Sequence, residues 1–177
     1  MEVIIAPNSA LRVQTKPVKK ITPGLYQTLK DMIKLTKTFK DPEGVGLSST
    51  QVGLDSRFFV TLWNDKKSKT NKFKAIFNPK ILSFSKKSKT FFEGCLSVPK
   101  IWGEVTRPIS VIVEYQDETG KKFRETLTGL KAHIFQHEVD HLNGILFTMR
   151  VLEQKSKLFK VVGKDESGAD IFKEIDI

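Results

Sequence analysis

The chain has 177 residues, 39% of them hydrophobic and 28% charged, so we expect one domain that buries a core of its own. The formal net charge of +10 indicates either a solvated surface or attraction to a polyanion. No run of roughly eighteen apolar residues occurs, so we expect no transmembrane helix. The first residues, Met1–Ile5, show no basic region followed by an apolar one, so we expect no secretory signal and a cytoplasmic location.

One helix is predicted in the first quarter of the chain. A turn at Pro7–Ser9 leads into a short segment at Ala10–Arg12. Thr22 followed by Pro23 is typical of a helix start, because proline fits the first helical position. Apolar residues follow at near-helical spacing, and we expect the helix to end before Asp41–Gly44 because a proline disfavours helical backbone before it. The glycines of the next block predict a loop.

Three strands are predicted after this loop from their β-branched and aromatic residues. They are Phe58–Trp63, Ala75–Phe77 closed by Asn78-Pro79, and Ile81–Phe84. Two lysine-rich clusters lie between apolar stretches, at Lys66–Lys72 and Lys86–Lys89. We expect both clusters to form exposed loops or hairpin tips.

A hairpin and a second long helix are predicted next. Ile109–Tyr115 and Lys121–Leu127 alternate in polarity on either side of a turn at Asp117–Gly120, which is typical of a hairpin. Gly129–Asn143 is predicted to be helical, and Gly144 suits its C-terminal end. Strands joined by hairpins and bracketed by two long helices indicate the α+β class, with antiparallel strands around a central helix.

The chain changes character after about Leu152. Lys155–Val162 is short and basic, Gly163–Gly168 predicts a turn, and Ala169–Ile177 predicts a closing strand. The tail is therefore expected to form a hairpin. We expect residues 1–177 to form a single domain, with a core at about residues 3–150 and a tail at residues 151–177.

The second predicted helix carries two histidines and a glutamate in a metal-binding arrangement. His137 and His141 are four residues apart, so they lie one turn apart on one helix face and can hold a divalent cation. Glu138, beside the first histidine, can reach a metal-bound water as general base. The alternative is a solvated polar helix face.

The third ligand of such a site is not settled by the helix itself. A metzincin protease would have a third histidine where this chain has Phe147. A thermolysin-like protease would need a downstream glutamate, for which Glu153 and Glu166 are the nearest candidates. The remaining candidate is Cys95, the only cysteine, because a thiolate and two imidazoles suit zinc or ferrous iron. A lone cysteine is otherwise a small buried hydrophobic residue.

The neighbours of Cys95 suit a developing oxyanion. Gly94 permits close approach of the backbone to an ion, and the backbone N–H of Leu96 would then lie beside that ion. We expect Glu93 to orient this loop rather than to act chemically.

Three blocks of the chain resemble the peptide deformylases, in the order that this family has them. They are Gly44–Gln51, Glu93–Ser97 and Gln136–Gly144, and the second and third match the family pattern in full. The similarity extends from about Val3 to about Met149. It implies a metal-dependent hydrolase that removes the formyl group from the N-terminal formyl-methionine of new polypeptides and releases formate.

The first block departs from the family pattern, which typically has two alanines and a proline before the glutamine. This chain has Ser48, Ser49 and Thr50. An added hydroxyl is tolerated if it finds a hydrogen-bond partner, whereas loss of proline frees φ and restores an N–H donor. We expect these changes to bear on the position of Gln51.

The resemblance also implies roles for individual residues. Glu138 would be the general base, and the side-chain amide of Gln51, the N–H of Leu96 and the metal would hold the oxyanion. The ion implied is Fe²⁺, with Zn²⁺, Ni²⁺ or Co²⁺ as alternatives, and a ferrous thiolate site would be oxygen-sensitive. The implied metal ligands are Cys95, His137 and His141.

A substrate pocket beside the helix would receive the methionine side chain. His133 is not expected to bind the ion, because it would lie about 12 Å from His141 along the helix axis at about 1.5 Å per residue. We expect it to line the pocket instead. The residues implied to line the pocket are Val45, Gly46, Gly94, His133 and Ile134.

The partners implied are nascent formyl-methionyl polypeptides. A ribosome surface is a second candidate partner, because the lysine clusters would attract ribosomal RNA. We expect neither a membrane nor DNA as a partner.

Three alternative functions remain at this point. One is a zinc endopeptidase that uses the same helix, and another is a basic binding protein whose metal is structural. The third is a deformylase-like protein whose altered turn at Ser48–Thr50 has lowered its activity.

Overall fold

The structure, a computed structural model, describes residues 1–40, 42–64 and 71–176. Within these residues, nine strands form two antiparallel sheets. In chain order the strands are β1 (Gly46–Ser48), β2 (Phe58–Asn64), β3 (Asn71–Phe84), β4 (Ser88–Cys95), β5 (Val98–Pro108), β6 (Ser110–Gln116), β7 (Lys122–Thr128), β8 (Leu158–Lys164) and β9 (Asp170–Ile175). The first sheet has the order β1-β2-β3-β6-β7 and the second has the order β4-β5-β8-β9. Strands β1 and β4 therefore each end a sheet.

The helices of the described residues are α1 (Pro23–Thr36), α2 (Gly129–Leu142) and α3 (Phe147–Gln154). Helix α1 begins as predicted, with the Thr22 hydroxyl accepting a hydrogen bond from the Leu25 N–H at 3.3 Å. Helix α2 begins at the predicted residue and ends one residue before the predicted end. Gly144 follows it with a φ of +74°, a backbone conformation that favours glycine after a helix. Helix α3 was not predicted.

Helix α2 lies at the centre of the fold. It contacts β1, β2 and β7 of the first sheet and β5 of the second. Its apolar face packs into the main core, where the ring of Phe135 meets that of Phe59 edge to face with centroids 5.3 Å apart. The two histidines and the glutamate lie on another side of the helix, which also faces the protein interior. The α+β class, with antiparallel strands around a central helix, is confirmed.

The strands differ from the prediction in two places. No strand was predicted at Val98–Pro108, which is strand β5; Val105 and Arg107 on one face are buried, whereas Thr106 between them is exposed. The two short strands predicted at residues 75–77 and 81–84 are parts of the continuous strand β3. The register between β3 and β6 shifts between Phe77 and Lys80. This shift accommodates Asn78, which has a φ of +50°, and the proline that follows it.

The glycine-rich loop and the lysine clusters also differ in part from prediction. Gly46 lies in β1, paired with Thr61 of β2. Lys86 and Lys87 are exposed between β3 and β4, as predicted, whereas Lys89 belongs to β4. Most of the first lysine cluster, residues 65–70, lies outside the described residues.

The C-terminal tail forms the predicted hairpin. Strands β8 and β9 pair from Leu158 with Ile175 to Lys164 with Asp170. Strand β8 also pairs with β5, which places the hairpin on the second sheet. Among the described residues, no helix combines the length and apolar character needed to cross a membrane.

Candidate metal centre

One cysteine and two histidines meet between the two sheets. Cys95 ends strand β4, and His137 and His141 lie one turn apart on α2. Their ligand atoms all lie within 4.8 Å of one another, and Cys95 Sγ is 3.2 Å from His141 Nε2. Tetrahedral bonds of about 2.0–2.3 Å place such donors roughly 3.5 Å apart, so the three residues fit one divalent ion.

The charges around the histidines favour cation binding. Burial, and then the positive charges of His137 and Arg107, hold the pKa of His141 well below its ordinary value, so this imidazole is neutral and has a lone pair available. Burial also lowers the pKa of His137, but its hydrogen bonds to Cys95 and Glu93 outweigh burial and raise it well above the ordinary value. Cys95 and Glu93 therefore favour positive charge at the position of His137.

Glu93 orients His137 from the side opposite the cation. Its Oε2 accepts a hydrogen bond from His137 Nδ1 at 2.9 Å, and its Oε1 lies 2.7 Å from His133 Nε2. With Nδ1 engaged, Nε2 of His137 is the nitrogen available to an ion, as is common for metal-binding histidines. The predicted role of Glu93 in orientation therefore extends to a histidine as well as the loop.

Arg107 holds Glu93 in place. Its Nε and Nη2 donate to the two carboxylate oxygens at 2.5 and 3.0 Å, and its Nη1 donates to Asp140 Oδ2 at 2.8 Å. All three side chains are buried. Sequence reasoning missed Arg107 and Asp140. The signal for Arg107 was available, because the two-residue period of a strand puts it on the buried face of Val105.

Glu138 is buried beside the candidate metal ligands. The Ser48 hydroxyl donates to its Oε2 at 2.7 Å. A Cβ at Gly46 would lie only 2.3 Å from its Oε1, so glycine is required there for the carboxylate to fit. Burial raises the pKa of Glu138, and the charge of His137 and the Ser48 hydrogen bond offset part of that rise.

The amide nitrogen of Gln51 faces the candidate metal ligand Cys95. Its Oε1 accepts a hydrogen bond from the Ser48 N–H at 2.9 Å, which fixes the orientation of the amide. Its Nε2 then lies 3.1 Å from Ser97 Oγ and 3.5 Å from Cys95 Sγ. The side chain is buried, so the altered turn before it does not turn it away from the site.

Each hydroxyl that the altered turn adds has a partner. Ser48 donates to Glu138, Ser49 donates to the Ser56 carbonyl, and Thr50 donates to the His141 carbonyl at 3.3 Å. A buried hydroxyl costs little when its hydrogen bond is made. The three replacements are therefore accommodated without unpaired polar groups at these hydroxyls.

A cavity of about 250 Å³ opens onto these groups. His141 lies behind the cavity and does not line it. Leu96 lies in the tight turn between β4 and β5 and lines it. Five lining residues were not predicted, and three of them directly precede the first or the second block. The predicted site residues that line it are Val45, Gly46, Gln51, Gly94, Cys95, Leu96, His133, Ile134, His137 and Glu138. Glu93, which was predicted to orient the loop, lines it too, and the lining residues that were not predicted are Pro42, Glu43, Phe92, Trp102 and Leu130.

His133 lies in the cavity wall and is not one of the candidate metal ligands. Its ring stacks on Phe91 with centroids 4.0 Å apart, and its Nε2 is engaged by Glu93. The group of candidate ligands found among the described residues comprises the cysteine and the other two histidines.

A cysteine and two histidines that can hold one ion, beside a cavity that a buried glutamate lines, are the features of a metal-dependent hydrolase. The family model described as polypeptide deformylase matches residues 1–157. A peptide deformylase from Borreliella burgdorferi is 38% identical over 161 residues, which are 90% of this chain and 93% of the relative. The chain belongs to the polypeptide deformylase family.

Solved structures of the family agree. The crystal structure of peptide deformylase from Thermotoga maritima aligns with a TM-score of 0.75 at 37% identity, covering 84% of this chain and 95% of that one. A deformylase from Acinetobacter baumannii with bound Met-Ala-Ser aligns with a TM-score of 0.75 at 32% identity, covering 85% and 97%. The protein is thus a metal-dependent enzyme that removes the N-formyl group from newly made polypeptides. Family membership excludes the endopeptidase and structural-metal interpretations.

Proposed function

We propose that Cys95, His137 and His141 hold a ferrous ion and that Glu138 is the general base that hydrolyses the N-formyl group. The observation that carries this proposal is the meeting of three ligand atoms beside a cavity that Cys95, His137 and the buried carboxylate of Glu138 line. An ion bound there lowers the pKa of a water molecule and polarises the formyl oxygen.

Glu138 takes the proton of the attacking water and passes it to the departing amine. The Gln51 side-chain amide and the Leu96 N–H donate hydrogen bonds to the oxyanion that develops on the formyl oxygen. One such donor is typically worth about 3 kcal/mol of barrier. Glu93 keeps His137 in the orientation that the ion requires.

The methionine side chain enters the cavity between β1, β4 and α2. The walls that Val45, Leu130 and Ile134 provide are apolar, which suits an unbranched thioether side chain. Gly46 and Gly94 also line the cavity, where the lack of a Cβ leaves room for the Glu138 carboxylate and for the Trp102 ring. The bound Met-Ala-Ser peptide of the A. baumannii relative, which begins with methionine, supports this assignment.

Ferrous iron is proposed over zinc, nickel or cobalt because the family resemblance favours it, although thiolate and imidazole ligands suit all four. A thiolate beside ferrous iron makes the site sensitive to oxygen.

Formate release from a formyl-Met peptide tests the proposal. Protein purified without oxygen and loaded with iron should turn over the peptide, lose activity in air, and retain it better when nickel replaces iron. The assay measures formate and bound metal together. An air-stable zinc form as active as the iron form would contradict the assignment of the metal, and no turnover with any of the metals would contradict the reaction.

We also propose a single domain that acts in the cytoplasm on chains emerging from the ribosome. The excess of positive charge supports the second part, because ribosomal RNA attracts lysine-rich surfaces. Lys86→Glu combined with Lys87→Glu should weaken cosedimentation with ribosomes at low salt. Lys30→Glu combined with Lys34→Glu, the same charge change on the exposed face of α1, is the control. Equal binding by both variants would argue against this surface.

A further inference from the structure

Ser48 contacts two side chains of the proposed mechanism: Glu138, which transfers the proton, and Gln51, which binds the oxyanion. Its hydroxyl meets Glu138 and its backbone N–H meets Gln51. It also stands where the family typically has alanine.

The hydroxyl selects one oxygen of the Glu138 carboxylate. Ser48 Oγ lies 2.7 Å from Oε2 and 3.1 Å from the Glu138 carbonyl oxygen. A hydroxyl has one proton, and the shorter contact to a charged acceptor is the stronger. Ser48 is fully buried, so no solvent water replaces this hydrogen bond if it is lost.

The other carboxylate oxygen faces the glycine of β1. Oε1 occupies the space that a Cβ at Gly46 would take, at 2.3 Å, and Gly46 lines the cavity. Glu138 also lines the cavity, so fixing Oε2 on the hydroxyl leaves Oε1 as the oxygen available to exchange a proton there.

The backbone of the same residue orients the oxyanion donor. The Ser48 N–H holds Gln51 Oε1 at 2.9 Å, which directs Nε2 to within 3.5 Å of Cys95 Sγ. This contact uses the main chain, so an alanine at position 48 would keep it. Only the contact with Glu138 depends on the serine side chain.

We propose that Ser48 is a positioning residue that, through its hydroxyl, fixes the carboxylate of Glu138 with Oε1 towards the substrate. This inference rests on the proposed function of Glu138 as general base. Removing the hydroxyl lets the carboxylate rotate and lowers the fraction of molecules in which the base is aligned, which reduces kcat and leaves substrate binding unchanged.

The first test is the kinetics of Ser48→Ala. We expect kcat to fall about tenfold and KM to stay within roughly twofold. Ser49→Ala is the matched control, because Ser49 is equally buried and its hydroxyl donates to the Ser56 carbonyl instead. Ser48→Thr, which keeps a hydroxyl, should restore most of the lost kcat. An unchanged kcat in Ser48→Ala would overturn the proposal, and a raised kcat would overturn it and also support a turn that has lowered activity.

The second test needs neither metal nor turnover. The urea midpoint of unfolding is measured for the metal-free wild type, Ser48→Ala, Glu138→Ala and the double variant. We expect the shift caused by Ser48→Ala to shrink by about half or more when Glu138 is already alanine, because its partner is gone. Equal shifts in both backgrounds would overturn the contact. If the wild type released no formate, the proposed function would fail, while this cycle would still decide whether Ser48 holds Glu138.

Discussion

Replacing Glu138 by glutamine should lower kcat for formate release by about 10²–10⁴-fold, the usual contribution of a general base. The amide has nearly the size of the carboxylate and can still accept the Ser48 hydroxyl, but it cannot take a proton from water. Bound metal should remain close to the wild-type amount, because Glu138 is not among the candidate ligands. Steady-state kinetics and metal content are measured on the same preparation.

Glu166→Gln is the control for this variant. Glu166 was a candidate ligand in the thermolysin-like interpretation, and it lies exposed in the turn between β8 and β9. The Glu166→Gln protein should retain full activity. Turnover by Glu138→Gln within a few-fold of the wild type would remove Glu138 from the mechanism.

The activity of the wild type should also depend on the protonation of Glu138. Burial raises the pKa of this carboxyl, and His137 and Ser48 offset part of the rise. A base works only when deprotonated, so kcat should decline as the pH falls through this raised pKa. The acid limb should therefore lie above the pH of about 4.3 at which an ordinary glutamate titrates.

Replacing Glu93 by glutamine should destabilise the protein and weaken metal binding. Arg107 loses one of two buried carboxylate partners, and breaking a buried ion pair in this way typically costs about 3–5 kcal/mol. We expect a loss near 3 kcal/mol, because Asp140 still pairs with Arg107. Metal affinity should fall about 10–100-fold, since His137 loses the group that orients it.

Urea unfolding of the metal-free protein and metal titration measure these two effects. Asp55→Asn is the control, because it removes an acidic partner from the exposed pair of Lys16 and Asp55, which should change stability little. A Glu93→Gln protein as stable as the control, with unchanged metal affinity, would mean that the buried network is not needed for either property.

The same carboxyl should make the metal-free protein sensitive to acid. Burial alone would raise the pKa of Glu93, but hydrogen bonds from His133, His137 and Arg107 outweigh it and hold the pKa well below the ordinary value. Such a group contributes stability that is present above its unfolded-state pKa of about 4.3 and is lost as the pH falls towards the folded-state pKa. The unfolding free energy should fall with pH in that range, and less steeply in Glu93→Gln.

Local sequence patterns predicted much of the fold. The start of α1 at Thr22, the hairpin of β6 and β7, the extent of α2 and the C-terminal hairpin all follow from turn residues and side-chain periodicity. Strand β5 was missed because it contains a glycine, three charged residues and two prolines, which are poor strand signals. Its pairing with β4 and β8 outweighs those local preferences.

The sequence by itself determined that His137 and His141 share one face of the helix it predicts, because residues four apart lie one turn apart in a helix. Through the three blocks it also determined the family and the candidate ligand Cys95. Only the tertiary structure decided how distant residues reach that helix and that Arg107 is among them. Cys95 lies more than forty positions upstream and Arg107 lies thirty, and the pairing of β4 with β5 against α2 brings both to it. The contact between the Ser48 hydroxyl and the Glu138 carboxylate also depends on the tertiary structure. Contacts between sheets and helix depend on packing across the whole core, which no local pattern encodes.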